Sequence, residues 1–327
     1  MFKKFLVLGL VLGIMPFAAC SGNGGGEPAS EKPSASAAAD LPMAPKKPYD
    51  LDEIYDGENG LAFDIFYPTA AIYEKSPLVV AFHGGGWVAG DKSQIMYIFA
   101  PIVEDLLKNG YAVATVQYRF AQAAAFPAQL RDCANAIQHM ADNAEKYNID
   151  TNSIGVMGYS AGAQLAMLLS YVPARSGLPL YGREYSFDIK HCVSFAGPSK
   201  LYGAELEEYS GNIKYLLEWL FGGEYEKKES EYISGSPYFY ITGETKKTPL
   251  LLAHDEADGV VPFSQSRAMQ KKALEEKIPC ELLALSGFGH QIDFASPYMD
   301  PKSGAAIEAI LGFIYENSGS RQASAQN

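Results

Sequence analysis

The stretch Gly158-Tyr159-Ser160-Ala161-Gly162 constrains this chain more than any other. A short apolar run, Ser153 to Met157, precedes it, and a run of strong helix formers, Ala161 to Leu169, follows. That context predicts a strand, a tight turn with Ser160 at its apex, and a helix, the arrangement of a nucleophile elbow. The flanking glycines have a physical reason. A turn this sharp brings neighbouring backbone too close for a Cβ atom. The helix that follows aims its first N–H groups at developing negative charge near the serine hydroxyl.

The rest of the chain alternates in a way that suits such a turn. Tyr49 to Tyr55 and Leu61 to Pro68 read as two antiparallel strands around the turn Asp56 to Gly60. Pro77 to Phe82 is a continuous apolar run, as expected of a strand buried on both faces, and it ends in His83-Gly84-Gly85-Gly86-Trp87. A helix is predicted from Gln94 to Asn109, a strand from Tyr111 to Phe120, and a long helix from Phe126 to Tyr147. Further strands are predicted at 191–196, 249–254 and 280–285, with helices at 263–277 and 304–315. Strands alternating with helices imply an α/β fold: a mostly parallel central sheet covered by helices on both faces. Residues 200–247 break the rhythm. They are long for a connection and rich in aromatics (Tyr209, Tyr215, Trp219, Phe221, Tyr225), so they are predicted to form a small cap insertion over the strand ends. Those rings are expected mainly to pack on one another.

A chain of 327 residues, 48% hydrophobic, has material for one large core. Its net charge of −12 and its lack of basic runs disfavour nucleic acid as a partner. The first residues pair a basic start, Lys3-Lys4, with an apolar run from Phe5 to Ile14 and then Ala18-Ala19-Cys20. The short apolar run and its flanks fit a cleaved export signal over residues 1–19, and Ala18-Ala19-Cys20 resembles the lipobox of bacterial lipoproteins, which implies a lipoprotein signal peptide with Cys20 as the lipidated new N-terminus. Residues 20–48 are Ser-, Gly-, Ala- and Pro-rich and read as a flexible tether, and 319–327 as a disordered tail. The expected protein is exported, held to the bacterial cell envelope by its lipid, with one domain over residues 49–318. Cys133, Cys192 and Cys280 show no metal-ligand spacing and are expected to be small buried hydrophobes on a helix and two strands.

A serine hydroxyl needs a base, and the base an orienting acid. After Ser160 the chain offers His191, His254 and His290. His290 lies in the glycine-rich loop 286–290, free to reach the sheet edge, whereas His191 begins a predicted strand and His254 ends one. His290 is therefore the candidate base. For the acid, Asp255, Glu256 and Asp258 follow one strand end; Asp258 is chosen, beside Gly259, and the other two are expected to be surface charges. The three glycines after His83 lack the Lys-Ser/Thr ending of a phosphate loop. They suit an oxyanion loop instead, with donors from Gly85, Gly86 and Ala161.

Several stretches, HGGGW at 83–87, YRF at 118–120, FPAQLRD at 126–132, GYSAG at 158–162, DGVVP at 258–262 and GFGH at 287–290, fall in one order: oxyanion loop, Ser, Asp, His. From about Tyr49 to Glu316 the chain thus resembles the α/β-hydrolase fold, in the esterase branch with an HGGG motif. That branch includes hormone-sensitive-lipase-like carboxylesterases and bacterial feruloyl and acetyl-xylan esterases. It departs from the family pattern in having Asp255 where Gly usually follows the strand-ending His, and Ala163 where Gly is frequent. The resemblance implies a serine esterase without metal or organic cofactor, acting on small-molecule or polysaccharide esters. In it His83 braces the oxyanion loop, and Tyr118 and Arg119 pin loops behind the site. Two alternatives stay open on the same scaffold: a prolyl-oligopeptidase-type peptidase, and a binding lipoprotein without activity.

Overall fold

The computed structural model describes residues 47–172, 181–209, 211–295 and 302–319. The predicted signal peptide, Cys20, almost all of the tether and the tail beyond Gly319 lie outside them. Among the described residues the chain forms one eight-stranded sheet in the order β1-β2-β4-β3-β5-β6-β7-β8. Its strands are β1 (Tyr49–Asp56), β2 (Leu61–Phe66), β3 (Ser76–Phe82), β4 (Ala112–Val116), β5 (Ile149–Tyr159), β6 (Ile189–Phe195), β7 (Leu250–Asp255) and β8 (Cys280–Leu285). β2 pairs antiparallel with β1 and β4, and every other pairing is parallel.

Alternation along β3 shows how the sheet is buried twice. Leu78, Val80 and Phe82 join one apolar cluster, while Val79 and Ala81 join another. The first cluster holds α3 (Ala128–Asp142) and α5 (Ala161–Tyr171) through Leu130, Ile137, Leu165 and Leu168. The second holds α2 (Ala100–Lys108) and α9 (Lys302–Asn317) through Ile102, Leu106, Ile310 and Ile314. A strand with no polar face is stable only with both sides covered, which is why β3 reads as an unbroken apolar run.

Two predicted helices are broken. The one expected from Gln94 to Asn109 is α1 (Gln94–Ile98) and then α2, separated at Phe99 (φ −113°, ψ 20°). Pro101 sits in the first turn of α2, where it needs no N–H donor but cannot continue a preceding helix. The long helix to Tyr147 likewise divides at Asn143 into α3 and α4 (Ala144–Tyr147). Asn143 turns its side-chain amide onto the carbonyl of His139, a local bond that competes with the helix ladder. The strand expected to run to Phe120 ends at Val116, so Tyr118 and Arg119 stand in the loop beyond it.

Between β6 and β7 the chain forms a 3₁₀ turn (Gly203–Glu208), α6 (Gly211–Phe221), α7 (Tyr225–Ser234) and a second 3₁₀ turn (Pro237–Tyr240). Leu206, Leu217, Leu220, Phe221 and Tyr232 from this segment join the same apolar cluster as α3 and α5. Phe221 and Tyr225 pack on Tyr232 with ring centroids 4.2 and 5.4 Å apart, and Tyr215 meets Trp219 at 6.1 Å. Cys133, Cys192 and Cys280 are buried free thiols on α3, β6 and β8. α8 (Ser264–Glu275) completes the elements, packing against β8.

Candidate active site

Parallel strands deliver the candidate residues to one edge of the sheet. His83 follows β3, Ser160 follows β5, Asp258 lies just beyond β7, and His290 lies beyond β8. All four sit past the C-terminal ends of their strands, where open α/β sheets form clefts.

Ser160 caps α5 with φ 52° and ψ −117°, a conformation that L-residues avoid unless the surroundings impose it. Here close packing imposes it. A Cβ on Gly158 would lie 2.2 Å from the carbonyl oxygen of Gly162, and one on Gly162 would lie 2.2 Å from that of Phe82. The Ser160 N–H donates to the Phe195 carbonyl at 2.8 Å, which anchors the turn to β6.

The Ser160 Oγ is 3.0 Å from His290 Nε2, and His290 Nδ1 is 2.7 Å from Asp258 Oδ2. A carboxylate only accepts, so Nδ1 carries the proton and Nε2 presents its lone pair to the serine hydroxyl. Asp258 Oδ1 accepts the N–H groups of Val260 and Val261 at 2.8 and 3.0 Å. Burial pushes the Asp258 carboxyl up. Hydrogen bonds from His254, His290 and Val260 outweigh that and hold it well below the usual carboxylate range. It stays charged opposite the imidazole.

Two supporting residues were not assigned to the site from sequence. His254 is fully buried, with Nε2 3.1 Å from Asp258 Oδ2 and 3.0 Å from the Val261 carbonyl, and Nδ1 2.8 Å from Ser266 Oγ. With acceptors at Nε2, that nitrogen donates, so Asp258 is held from behind by a second histidine. The available signal was spacing, since His254, at the end of β7, stands four residues before the acid. Tyr159 is the other. Its ring stacks on His290 with centroids 5.6 Å apart, and its hydroxyl donates to the His290 carbonyl at 2.7 Å.

Asp255 corrects an expectation. It is fully buried rather than a surface charge, while Glu256 is exposed as expected. Its carboxylate accepts the N–H groups of Ala257 and Phe288, each at 2.8 Å. It therefore ties the loop bearing Asp258 to the loop bearing His290, a bridge that glycine at this position cannot make.

The glycine loop lies opposite. Gly86 has φ 58°, and a Cβ there would lie 2.7 Å from Leu216 Cδ1 of α6. Gly85 has φ 114°, and its Cβ would lie 2.1 Å from the Ala89 carbonyl oxygen. His83 underpins this loop. Its Nδ1 bonds the Gly84 carbonyl at 2.7 Å, and its ring stacks on Tyr118 with centroids 4.3 Å apart. The Tyr118 hydroxyl donates to the His83 carbonyl at 2.8 Å. Burial pulls the His83 imidazole down to about 4. Arg119 makes a forked pair with buried Asp132, with Nη2 2.7 Å from Oδ1 and Nε 2.9 Å from Oδ2. This fixes the loop after β4 to α3. Trp87 Nε1 donates to Gln164 of α5 at 3.1 Å, and Gln164 donates to the Gly235 carbonyl at 2.6 Å, joining glycine loop, elbow helix and cap segment.

Gly85, Gly86, Ser160 and His290 line one pocket of about 350 Å³, whose other walls include Leu201, Ile213, Leu216, Leu217 and Val261. Ala161 opens α5, where the first N–H groups have no acceptor within the helix. The site can therefore offer a hydroxyl with a base at hydrogen-bond distance, a charged acid behind the base, and glycine backbone across a largely apolar pocket.

The BD-FAE family profile matches residues 63–273, almost the whole stretch from β2 through α8. The chain belongs to the BD-FAE family. Similar proteins include esterase LipQ of Mycobacterium tuberculosis, 24% identical over 76% of this chain and 58% of its own length. An AB hydrolase superfamily protein of Schizosaccharomyces pombe is 34% identical over 72% of this chain and 69% of its own. The chain thus spans under three fifths of LipQ's length. Among solved structures, a truncated carbohydrate esterase from gut microbiota superposes with TM-score 0.69 at 21% identity, covering 85% of this chain and 100% of that one. The BD-FAE fold seen here is that of the α/β hydrolases.

Proposed function

We propose that this BD-FAE protein is a serine carboxylic-ester hydrolase that works through an acyl-enzyme. The observation that carries the reading is the relay Asp258–His290–Ser160, with 2.7 and 3.0 Å links, opening on a small apolar pocket. Ser160 Oγ attacks the ester carbonyl while His290 Nε2 takes its proton, and Asp258 steadies the imidazolium that forms. The N–H groups of Gly85, Gly86 and Ala161 receive the oxyanion, each donor worth on the order of 3 kcal/mol in the transition state. His290 then protonates the departing alcohol, and water, activated by the same imidazole, releases the acid. A pocket near 350 Å³ favours short or flat acyl groups. The likeness to a carbohydrate esterase supports acetyl or feruloyl groups on polysaccharide as the physiological class.

The test compares p-nitrophenyl acetate, butyrate and octanoate, matched peptide amides, and acetate and ferulate release from xylan. Turnover of acetate and butyrate well above octanoate, with acyl release from xylan, is the expected result. Amide cleavage exceeding ester cleavage would sink the esterase reading, whereas inert xylan would remove only the polysaccharide class. We further propose that the chain is anchored through Cys20, on the pattern of residues 1–20. Palmitate labelling in a bacterial host should mark the full chain and be abolished by Cys20→Ser; equal labelling of the two would exclude this anchor.

A further inference from the structure

Beyond β8 the loop 286–290 carries the candidate base and has little of its own to hold it in place. Gly287 and Gly289 take φ 89° and 60°, and a Cβ on either would meet nothing within 4 Å, so neither is packed against a neighbour. Among the described residues, two hydrogen bonds tie the backbone of this loop to the strand ends beside it. The Tyr159 hydroxyl donates to the His290 carbonyl at 2.7 Å, and the Phe288 N–H donates to Asp255 Oδ2 at 2.8 Å. The other oxygen of that carboxylate, Oδ1, accepts the Ala257 N–H at 2.8 Å, one residue before Asp258. One side chain thus holds the backbone next to the acid and the backbone two residues before the base. Asp255 is fully buried, and these two N–H groups are what replaces its water. Burying a carboxylate on two backbone donors is costly, and a glycine at this strand end would avoid that cost altogether.

We propose that Asp255 is a positioning residue for the His290 base. Its carboxylate clamps the two loops at the separation that gives the 2.7 Å link between Asp258 and His290, and so presents Nε2 to Ser160. The assignment rests on the ester-hydrolase reading and adds to it a residue that touches no reacting atom yet governs proton transfer. A base displaced by about 1 Å loses on the order of a hundredfold in rate. Ester binding is left alone, because Asp255 is not among the walls of the pocket. Replacement therefore acts on kcat rather than on KM. Asparagine is the sharpest substitute. It keeps the shape but has one acceptor oxygen, and its amide turns N–H groups toward one of the two backbone donors.

The experiment measures kcat and KM of the full chain on p-nitrophenyl acetate for the wild type, Asp255→Asn, His290→Ala and the double variant, with melting temperatures to establish that each is folded. Asp255→Asn should lower kcat by about tenfold to a hundredfold and leave KM within about twofold. In the His290→Ala background the same change should cost less than about twofold, because a clamp has nothing to place once the base is gone. Equal losses in both backgrounds, or a raised KM with kcat unchanged, would reduce Asp255 to a structural residue and overturn the proposal. A measurement on the wild type covers the case of a variant that does not fold. Hydrogen exchange should find the Phe288 amide protected, although its loop carries two unpacked glycines. Exchange at the rate of an open loop would overturn the clamp. If the wild type hydrolyses no ester, the hydrolase reading fails, and the exchange result still decides whether the clamp exists.

Discussion

Ser160→Ala is expected to lower kcat/KM on p-nitrophenyl butyrate by about 10⁴- to 10⁶-fold, with little change in melting temperature. The loss is large because the hydroxyl has no understudy. Its partner His290 is held by Asp258 to receive a proton from that one oxygen, and without it the base faces an empty pocket. Residual turnover would come from the glycine loop and the pocket acting on water. Stability should hardly move, because the backbone strain at φ 52° is set by the contacts of Gly158 and Gly162, not by the hydroxyl. Ser160→Gly is the informative companion. It should be as inactive as the alanine variant yet more stable by about 1 kcal/mol, since glycine adopts positive φ at no steric cost. A variant lacking the hydroxyl that kept a tenth of the wild-type rate would remove Ser160 from the mechanism. An alanine variant that also unfolded would show the hydroxyl to be part of the turn's structure.

What the sequence made legible here was local chemistry at strand ends. GYSAG, HGGG and GFGH are turns whose glycines have local reasons: a Cβ on Gly158 or Gly85 would strike backbone four residues on, and Gly287 and Gly289 take φ 89° and 60°, so each turn can be read without knowing its neighbours. The residues they present, Ser160, Gly85, Gly86 and His290, do meet in space with Asp258. Properties set by distant packing were harder to read. Asp255 looks like a solvated charge at a strand end, and only the approach of the 286–290 loop buries it and supplies the Phe288 N–H. His254 resembles any strand-ending histidine until Asp258 folds back onto its Nε2. Tyr209 was one aromatic among several, and nothing local distinguished the residue that lines the pocket from those stacked on Tyr232. The helix breaks at Phe99 and Asn143 were missed because amphipathic spacing continues across them, while Pro101 and the Asn143 side chain interrupt the hydrogen-bond ladder.

Buried histidines also make the fold acid-sensitive. Burial pulls both His83 and His191 down to about 4 from an ordinary value of 6.5. In each case the native state keeps a neutral ring that the unfolded chain protonates. The stability associated with them is therefore complete above pH 6.5, falls as pH drops towards 4, and is then exhausted. Near pH 5 the unfolded chain binds about two more protons than the native one, a slope of roughly 2–3 kcal/mol per pH unit. Over the window each ring accounts for about 3 kcal/mol. His139, also lowered by burial, adds in the same direction. Asp132, whose carboxyl burial raises above 3.8, works weakly against it. Asp258 contributes nothing here, because a depressed carboxylate loses its stabilisation only below its unfolded value of 3.8. Urea titrations at pH 7, 6 and 5 should trace this slope, and His191→Phe should flatten it by about one proton while leaving Ser160, His290 and the glycine loop untouched. His191 is the ring to change, since it packs against Phe313 of α9, away from the pocket lining. A wild type whose stability is flat from pH 7 to 5 would mean that these rings are protonated in the folded protein. The His83 ring would then need an acceptor at Nε2, which has no partner among the described residues.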